Sequence, residues 1–190
     1  IGRKILQPAV EIFVGIPSVV YGWIGLTILV PFIKDLFDLK FGFSVLAAGI
    51  VLAVMIYPTI TSLSADAIRS IPKSFRQASY GLGATRWQTI SQVVIPASKS
   101  GLMTAVLGLA RAFGEALAVA MVIGKMKAFP ESLLSPTTNL TAAIASDMGG
   151  AMEGSEYNIA LWSMALLLFI ISLVFIFIIH YISAKGGHKA

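Results

Sequence analysis

Apolar residues fall in four long blocks along this 190-residue chain, separated by polar stretches. The blocks run roughly Val10–Ile33, Phe43–Leu63, Gly101–Gly124 and Tyr157–Ile182. Each is long enough to cross about 30 Å of hydrocarbon as a helix rising about 1.5 Å per residue. The pattern predicts an all-α, polytopic transmembrane bundle with four membrane helices, in a single domain covering 1–190. The first block is irregular. GIPSVVYGWIG (Gly15–Gly25) contains Pro17 and three glycines. Proline removes a backbone hydrogen bond, and such a break is tolerated at membrane depth where it is buried or lines a wet cavity. Ser18 and Tyr21 are candidates to line a path there, and Glu11 reads as interfacial.

The polar stretch between the second and third blocks has its own periodicity. Phe75, Ala78 and Leu82 recur at helical spacing, as do Trp87, Ile90 and Val94, with Gly83 between the runs. Gly83 suits a chain reversal. Pro72 suits a helix start and Pro96 the first turn of the next membrane helix. Residues 67–96 therefore predict helix, glycine turn, helix. Such a tip can be gripped by another protein or lie on anionic lipid. Beyond the third block, Leu140, Ile144 and Met148 recur every four residues. They predict a short helix in the loop 125–156, either docking a partner or packing back on the bundle.

Charge assigns the loops to sides. The start, the middle loop and the tail hold nine basic residues: Arg3, Lys4, Arg69, Lys73, Arg76, Arg86, Lys99, Lys185 and Lys189. The other two joins hold Lys34, Lys40, Lys125 and Lys127 against Asp35, Asp38, Glu131, Asp147, Glu153 and Glu156. Basic loops stay in the cytoplasm. The start, the 67–100 loop and the C-terminus are thus expected on the cytoplasmic side of a multi-pass membrane protein.

Composition agrees. Hydrophobic residues make up 57% and charged residues 12%, where soluble domains sit near 45–50% and 25%. With no cysteine, disulfides and thiolate metal sites are excluded. His180 and His188 offer no third ligand for a metal. Asn139-Leu-Thr141 matches a glycosylation pattern by letters only. No Gly-x4-Gly-Lys-Ser/Thr phosphate loop is present, and no nucleophile–base–acid set is visible, so the chain reads as no enzyme and as holding no cofactor.

Inside the third block stand Arg111 and Glu115. A charge at the bilayer centre costs roughly 2.5–3.5 kcal/mol on insertion scales, and an intramembrane arginine is a functional-site hypothesis by default. On a continuous helix the two share a face. Gly108, Ala112, Ala116, Ala120 and Gly124 form a small-residue stripe beside them, suited to close helix approach. The pair is either a structural bridge or part of a pathway. Arginine's planar fork suits an oxyanion, while Glu115 could aim the guanidinium, partly neutralise it or carry a proton.

Two sets of residues carry a resemblance. Gln77-Ala78-Ser79, three residues, Gly83, nine residues and Val93-Val94-Ile95-Pro96 resembles the Glu-Ala-Ala…Gly…Ile-x-Leu-Pro loop of ABC-importer membrane subunits. Gln77, Ser79, Val93 and Ile95 depart from it. GIPSVVYGWIGL (Gly15–Leu26), LAAGIVLAVMIYP (Leu46–Pro58), ASYGLGATRWQTI (Ala78–Ile90) and GLARAFGEALAVAMVIG (Gly108–Gly124) look like the C-type membrane subunit of the bacterial phosphate-specific ABC importer. The similarity runs through essentially the whole sequence. It implies a type I importer architecture with four of an expected six membrane helices present, the missing two upstream of Ile1. It implies phosphate as substrate, with Arg111 and Glu115 on its pathway, and a loop 67–96 that docks on ATP-binding cassette subunits. ATP and Mg would be bound by those partners. A second membrane permease subunit and an external phosphate-binding protein complete the implied assembly. Another oxyanion such as sulfate or molybdate, or an ion channel or secondary carrier, is the rival reading.

Overall fold

A backbone in hydrocarbon must satisfy its own N–H and C=O groups, and apolar blocks of this length do so as helices. The structure, a computed structural model, describes residues 2–106 and 112–187. Helix α1 spans Gly2–Gly15 and ends at Ile16 and Pro17, since Pro17 has no N–H to donate and disfavours helix at the residue before it. Helix α2, Ser18–Leu36, starts directly behind Pro17 and contains a π-helical turn over Gly25–Leu29. Pro17 therefore breaks the first apolar block rather than bending it, and the crossing helix begins at Ser18, not Val10. Tyr21 is buried, with its hydroxyl donating to the Phe13 carbonyl at 2.7 Å. It ties the two helices across the break.

Helix α3, Val45–Arg69, is capped by Ser44, whose fully buried hydroxyl accepts from Ala47 N at 3.1 Å. Helix α4 (Lys73–Gly81) and helix α5 (86–97, π-helical over Thr89–Val94) build the middle loop. Helix α6 is Lys99–Val106, α7 Leu117–Val122, α8 Leu140–Asp147 and α9 Glu156–Gly187. Among the described residues, three helices are long and apolar enough to cross a membrane, namely α2, α3 and Glu156–Tyr181 of α9. The expected fourth, Gly101–Gly124, is not continuous: the chain leaves helical geometry over residues 114–116.

The core joins α2, α3 and α7 through Val30, Ile33, Val51, Met55, Val119 and Val122. Two close approaches set its dimensions. A methyl group on Gly22 would lie 2.8 Å from Ala118 Cα, and one on Gly101 would lie 2.7 Å from Ala67 Cβ. Small residues thus bring α2 onto α7 and α6 onto α3, as expected where packing rather than water drives helix association. By contrast, α9 is apolar all round and mostly exposed, as a helix facing lipid or another subunit would be.

Contacts at the two ends of α3 fix the layout. At its start, Ser44 N donates to the Val122 carbonyl at 3.3 Å. At its finish, Ala67 meets Gly101. The joins 37–44 and 123–155 therefore share one end of the bundle, and 70–98 lies at the other. The charge split read along the chain is a split in space.

The Gly22 contact yields a prediction. Gly22→Val in the full-length protein should cost about 1–3 kcal/mol by overpacking, read as a lowered thermal midpoint in detergent. Gly49→Ala, where nothing lies within 4 Å, should leave that midpoint unchanged or raise it.

Candidate functional site

The middle loop forms the helix, turn and helix that its spacing predicts. Gly83 lies at the reversal with φ +80, and Thr85 and Gln88 form a reciprocal capping box that starts α5. Two contacts hold the unit. The hydroxyls of Ser79 and Thr89 lie 2.9 Å apart in a buried bond between α4 and α5, and Arg76 Nη2 donates to the Ile68 carbonyl of α3 at 3.0 Å. Ser79 stands where the importer pattern has its second alanine, so that departure adds a cross-link within the loop. Gln77 and Ala78 are exposed, and Pro96 is exposed in the last turns of α5.

Of the apolar positions in this loop, Val94 turns inward and most of the others do not. Leu82 is 90% exposed and Trp87 74%, with Phe75, Tyr80 and Ile90 also exposed. A tip of this kind, with Arg86 next to Trp87, is larger in apolar reach than a solvated loop needs and suits an interface.

The third block departs from expectation at its polar pair. Arg111, like Gly108, lies outside the described residues. Glu115 is buried and not helical, so the small-residue stripe is interrupted between Ala112 and Ala116, while the face expected to be shared with Arg111 lies outside the described residues. The cause is local. A Glu115 carboxylate oxygen accepts from Ala118 N at 3.2 Å, so the side chain takes a backbone donor at the start of α7. The carbonyl freed at Glu115 accepts from the Thr141 hydroxyl at 2.9 Å. Thr141 belongs to α8, itself capped by Asn139, whose Oδ1 accepts from Ala142 N at 2.7 Å. The Asn139-Leu-Thr141 letters are thus consumed by folding. The short helix predicted in the 125–156 loop exists and packs inward, with Thr141, Ala142 and Ala143 buried.

Sequence reading missed a polar latch that closes the same region. Lys127 Nζ donates to Tyr157 Oη at 2.6 Å and lies 3.0 Å from Asp147 Oδ2, and the Tyr157 hydroxyl donates to Asp147. Hydrogen bonds from Tyr157 and then Lys127 hold the Asp147 carboxyl below its ordinary value. Bonds to Tyr157 and Asp147 raise Lys127. The three residues are 20 and 10 positions apart, beyond any helical period, so no local signal pairs them. No group of three or more potential metal ligands occurs among the described residues, and the ring of His180 lies 3.0 Å from the Ile176 carbonyl. His188 lies outside the described residues.

Residues 1–186 match the protein-family model described as the binding-protein-dependent transport system inner membrane component. The chain belongs to that family. It is 57% identical over 185 residues to the probable ABC transporter permease protein YqgH of Bacillus subtilis, covering 97% of this chain and 60% of that protein. It is 36% identical over 190 residues to the phosphate transport system permease protein PstC of Haemophilus influenzae, covering 90% of this chain and 60% of that protein. The PstC of Pasteurella multocida is 36% identical over 211 residues, covering 98% and 65%. The chain thus spans 60–65% of the length of these curated relatives. No solved structure matches.

An inner-membrane component of this family is a multi-pass membrane protein, and in that solvent the Glu115–Ala118 and Thr141–Glu115 bonds gain weight. Each satisfies a backbone group that water cannot reach. Thr141→Val keeps the shape of the side chain and orphans the Glu115 carbonyl. It should cost about 1–3 kcal/mol in the thermal midpoint, and Glu115→Gln, which keeps an acceptor oxygen, should cost less than Glu115→Ala.

The latch gives a pH prediction. Asp147 is lowered from 3.8, so its contribution is present above that value and lost as pH falls through the depressed one. Lys127 is raised from 10.5, so its contribution is present below that value and lost only as pH rises through the raised one. The wild type's small advantage over Asp147→Asn in thermal midpoint should be constant from about pH 5 to 9 and shrink below about pH 4.

Proposed function

We propose that this chain is the membrane-spanning part of a permease subunit of an ABC importer that moves inorganic phosphate across the cytoplasmic membrane. ATP hydrolysis in a partner subunit drives the movement, and ATP and Mg are held there. One observation carries the reading: relatives named phosphate transport system permease proteins align with 90% or more of this chain. In it the basic end, with the coupling segment 67–96, faces the cytoplasm, in keeping with the retention of basic loops inside. The acidic end faces outward, toward a phosphate-binding protein.

The exposed tip around Gly83 docks on an ATP-binding cassette subunit. Leu82 and Trp87 supply its apolar contact, and Gln77, exposed and uncharged, adds hydrogen bonds as donor and acceptor. Ser79 stiffens the segment from within, and Pro96 returns it to the membrane. An ion channel has no use for such a tip. A second membrane permease subunit lies against the mostly apolar faces that this chain leaves exposed. Arg111 contacts the passing oxyanion through its bidentate fork. Glu115 shapes the pathway through the helix break that its carboxylate caps.

The test is uptake of labelled phosphate by the full-length subunit, reconstituted in vesicles with its ATP-binding and binding-protein partners. ATP-dependent phosphate uptake that excess sulfate and molybdate do not suppress is expected. Arg111→Ala should lower it about tenfold or more with the complex still assembled, as loss of a buried charge contact would. Normal uptake by that variant would overturn the pathway role. Leu82→Asp should strip the ATP-binding subunit during purification, and its full retention would overturn the docking role.

A further inference from the structure

A cavity of about 540 Å³ opens between α2, α7 and α8, at the end of the bundle that holds the acidic joins. Its walls are apolar, among them Val19, Phe43, Leu117 and Met121, and its polar lining is Lys125 and Ser146. Lys125, solvent-exposed like Ser146, has a strained backbone. It has φ +54 and follows Gly124 at φ +101, two successive left-handed residues. Lysine rarely adopts that conformation, and such departures cluster at functional sites. Gly124 is required at its place, since a methyl group there would lie 2.7 Å from Pro136 Cβ.

Among the described residues, Lys125 forms no ion pair. Asp147 follows Ser146 and is near enough for Lys125 to lower its pKa, yet its carboxylate is engaged by Lys127 and Tyr157. Lys125, Lys127 and Asp147 together carry a charge of +1, at an end of the bundle whose joins otherwise lean acidic. With a water's share of liquid near 30 Å³, the space holds on the order of fifteen to twenty waters, enough for an oxyanion with much of its hydration.

We propose that Lys125 and Ser146 form an outer holding site for a tetrahedral oxyanion of the phosphate type, occupied before the ion passes Arg111. The proposal deepens the phosphate reading and rests on it for the identity of the ion. One ammonium and one hydroxyl in a wet, apolar-walled cavity attract such an ion without trapping it. That is what a station on a path requires, and a path has no use for a terminal binding site. A phosphate group could also arrive as a lipid headgroup, and the experiment separates the two sources.

Residues 1–190 hold no cysteine, so Ala145→Cys on the cavity wall gives a single thiol beside intact Lys125 and Ser146 once any cysteine outside this segment is replaced by serine. The full-length protein carrying it, in vesicles of zwitterionic lipid, is labelled with an anionic and with a neutral thiol reagent of similar size. The anionic reagent should react about tenfold faster relative to the neutral one, a charge-steering effect. Adding Lys125→Gln should abolish that preference while leaving the neutral rate unchanged, which also shows the variant to be folded. Lys125→Arg should restore it. Millimolar inorganic phosphate at constant ionic strength should slow the labelling. A preference indifferent to Lys125, or no protection by phosphate, overturns the site. Protection arising only when acidic lipid is added assigns the cavity to headgroups and overturns it too. Because the readout is labelling, a wild type that takes up sulfate but not phosphate would sink the phosphate reading and leave an oxyanion site standing.

Discussion

The bond between Thr141 and the Glu115 carbonyl is the constraint on which the end of the bundle with the acidic joins depends. A helix interrupted inside a membrane exposes carbonyls and amides that lipid cannot satisfy. Here the interruption at residues 114–116 is closed from two sides. Glu115 returns its carboxylate to Ala118 N, and α8 supplies a hydroxyl from 26 residues further along the chain. The loop 125–156 is therefore part of the packing, fastened inside at Thr141 and outside at the Lys127–Tyr157–Asp147 latch. It also serves α3, whose first amides at Val45 and Leu46 donate to the Ser135 and Leu133 carbonyls.

With the break closed, α7 is free to pack as a short apolar helix. Val122 and Val119 join α2 and α3 in the core, and Gly22 lets Ala118 approach to contact distance. Among the described residues, α9 is held through packing with α6 and α8 and through the ring contact of Phe175 with Phe113. Much of the rest of α9 is apolar and exposed among the described residues, which is stable only if lipid or another membrane subunit covers it.

What the sequence made legible was whatever is encoded over a few residues. The apolar blocks, the loop charges and the helix–Gly83–helix unit all follow from periods of three to four residues and from one glycine. Asn139 was legible in principle as a cap, a polar residue directly before the Leu140, Ile144, Met148 repeat. The break at Glu115 was not. Alanines and valines after Gly114 favour a continuous helix by composition, and the partner that makes interruption tolerable, Thr141, is remote in sequence. Pro17 misled in the same way: a proline in an apolar run reads as a kink, and only the Tyr21–Phe13 bond shows that two helices meet there. The latch fails by the same rule, since Lys127, Asp147 and Tyr157 become neighbours only after α8 folds back.

The placement of α3 connects the two ends of the molecule. At its basic end Arg76 bonds the Ile68 carbonyl, and Ala67 packs on Gly101. At its acidic end Ser44, Val45 and Leu46 bond the segments that carry Lys125 and the latch. Between them run 25 residues of continuous helix, about 37 Å at 1.5 Å per residue. The Ser79–Thr89 bond ties α4 to α5, and the capping box holds the start of α5, so the two helices of the tip are expected to move together. A movement of the tip then passes to α3 through Arg76 or to α6 through the end of α5, and those two helices touch at Ala67 and Gly101. Rigid segments joined at small-residue contacts move as bodies rather than deform, since packed interiors have little room to yield. The glycine contacts that set the core dimensions therefore also decide which parts of the bundle can shift together.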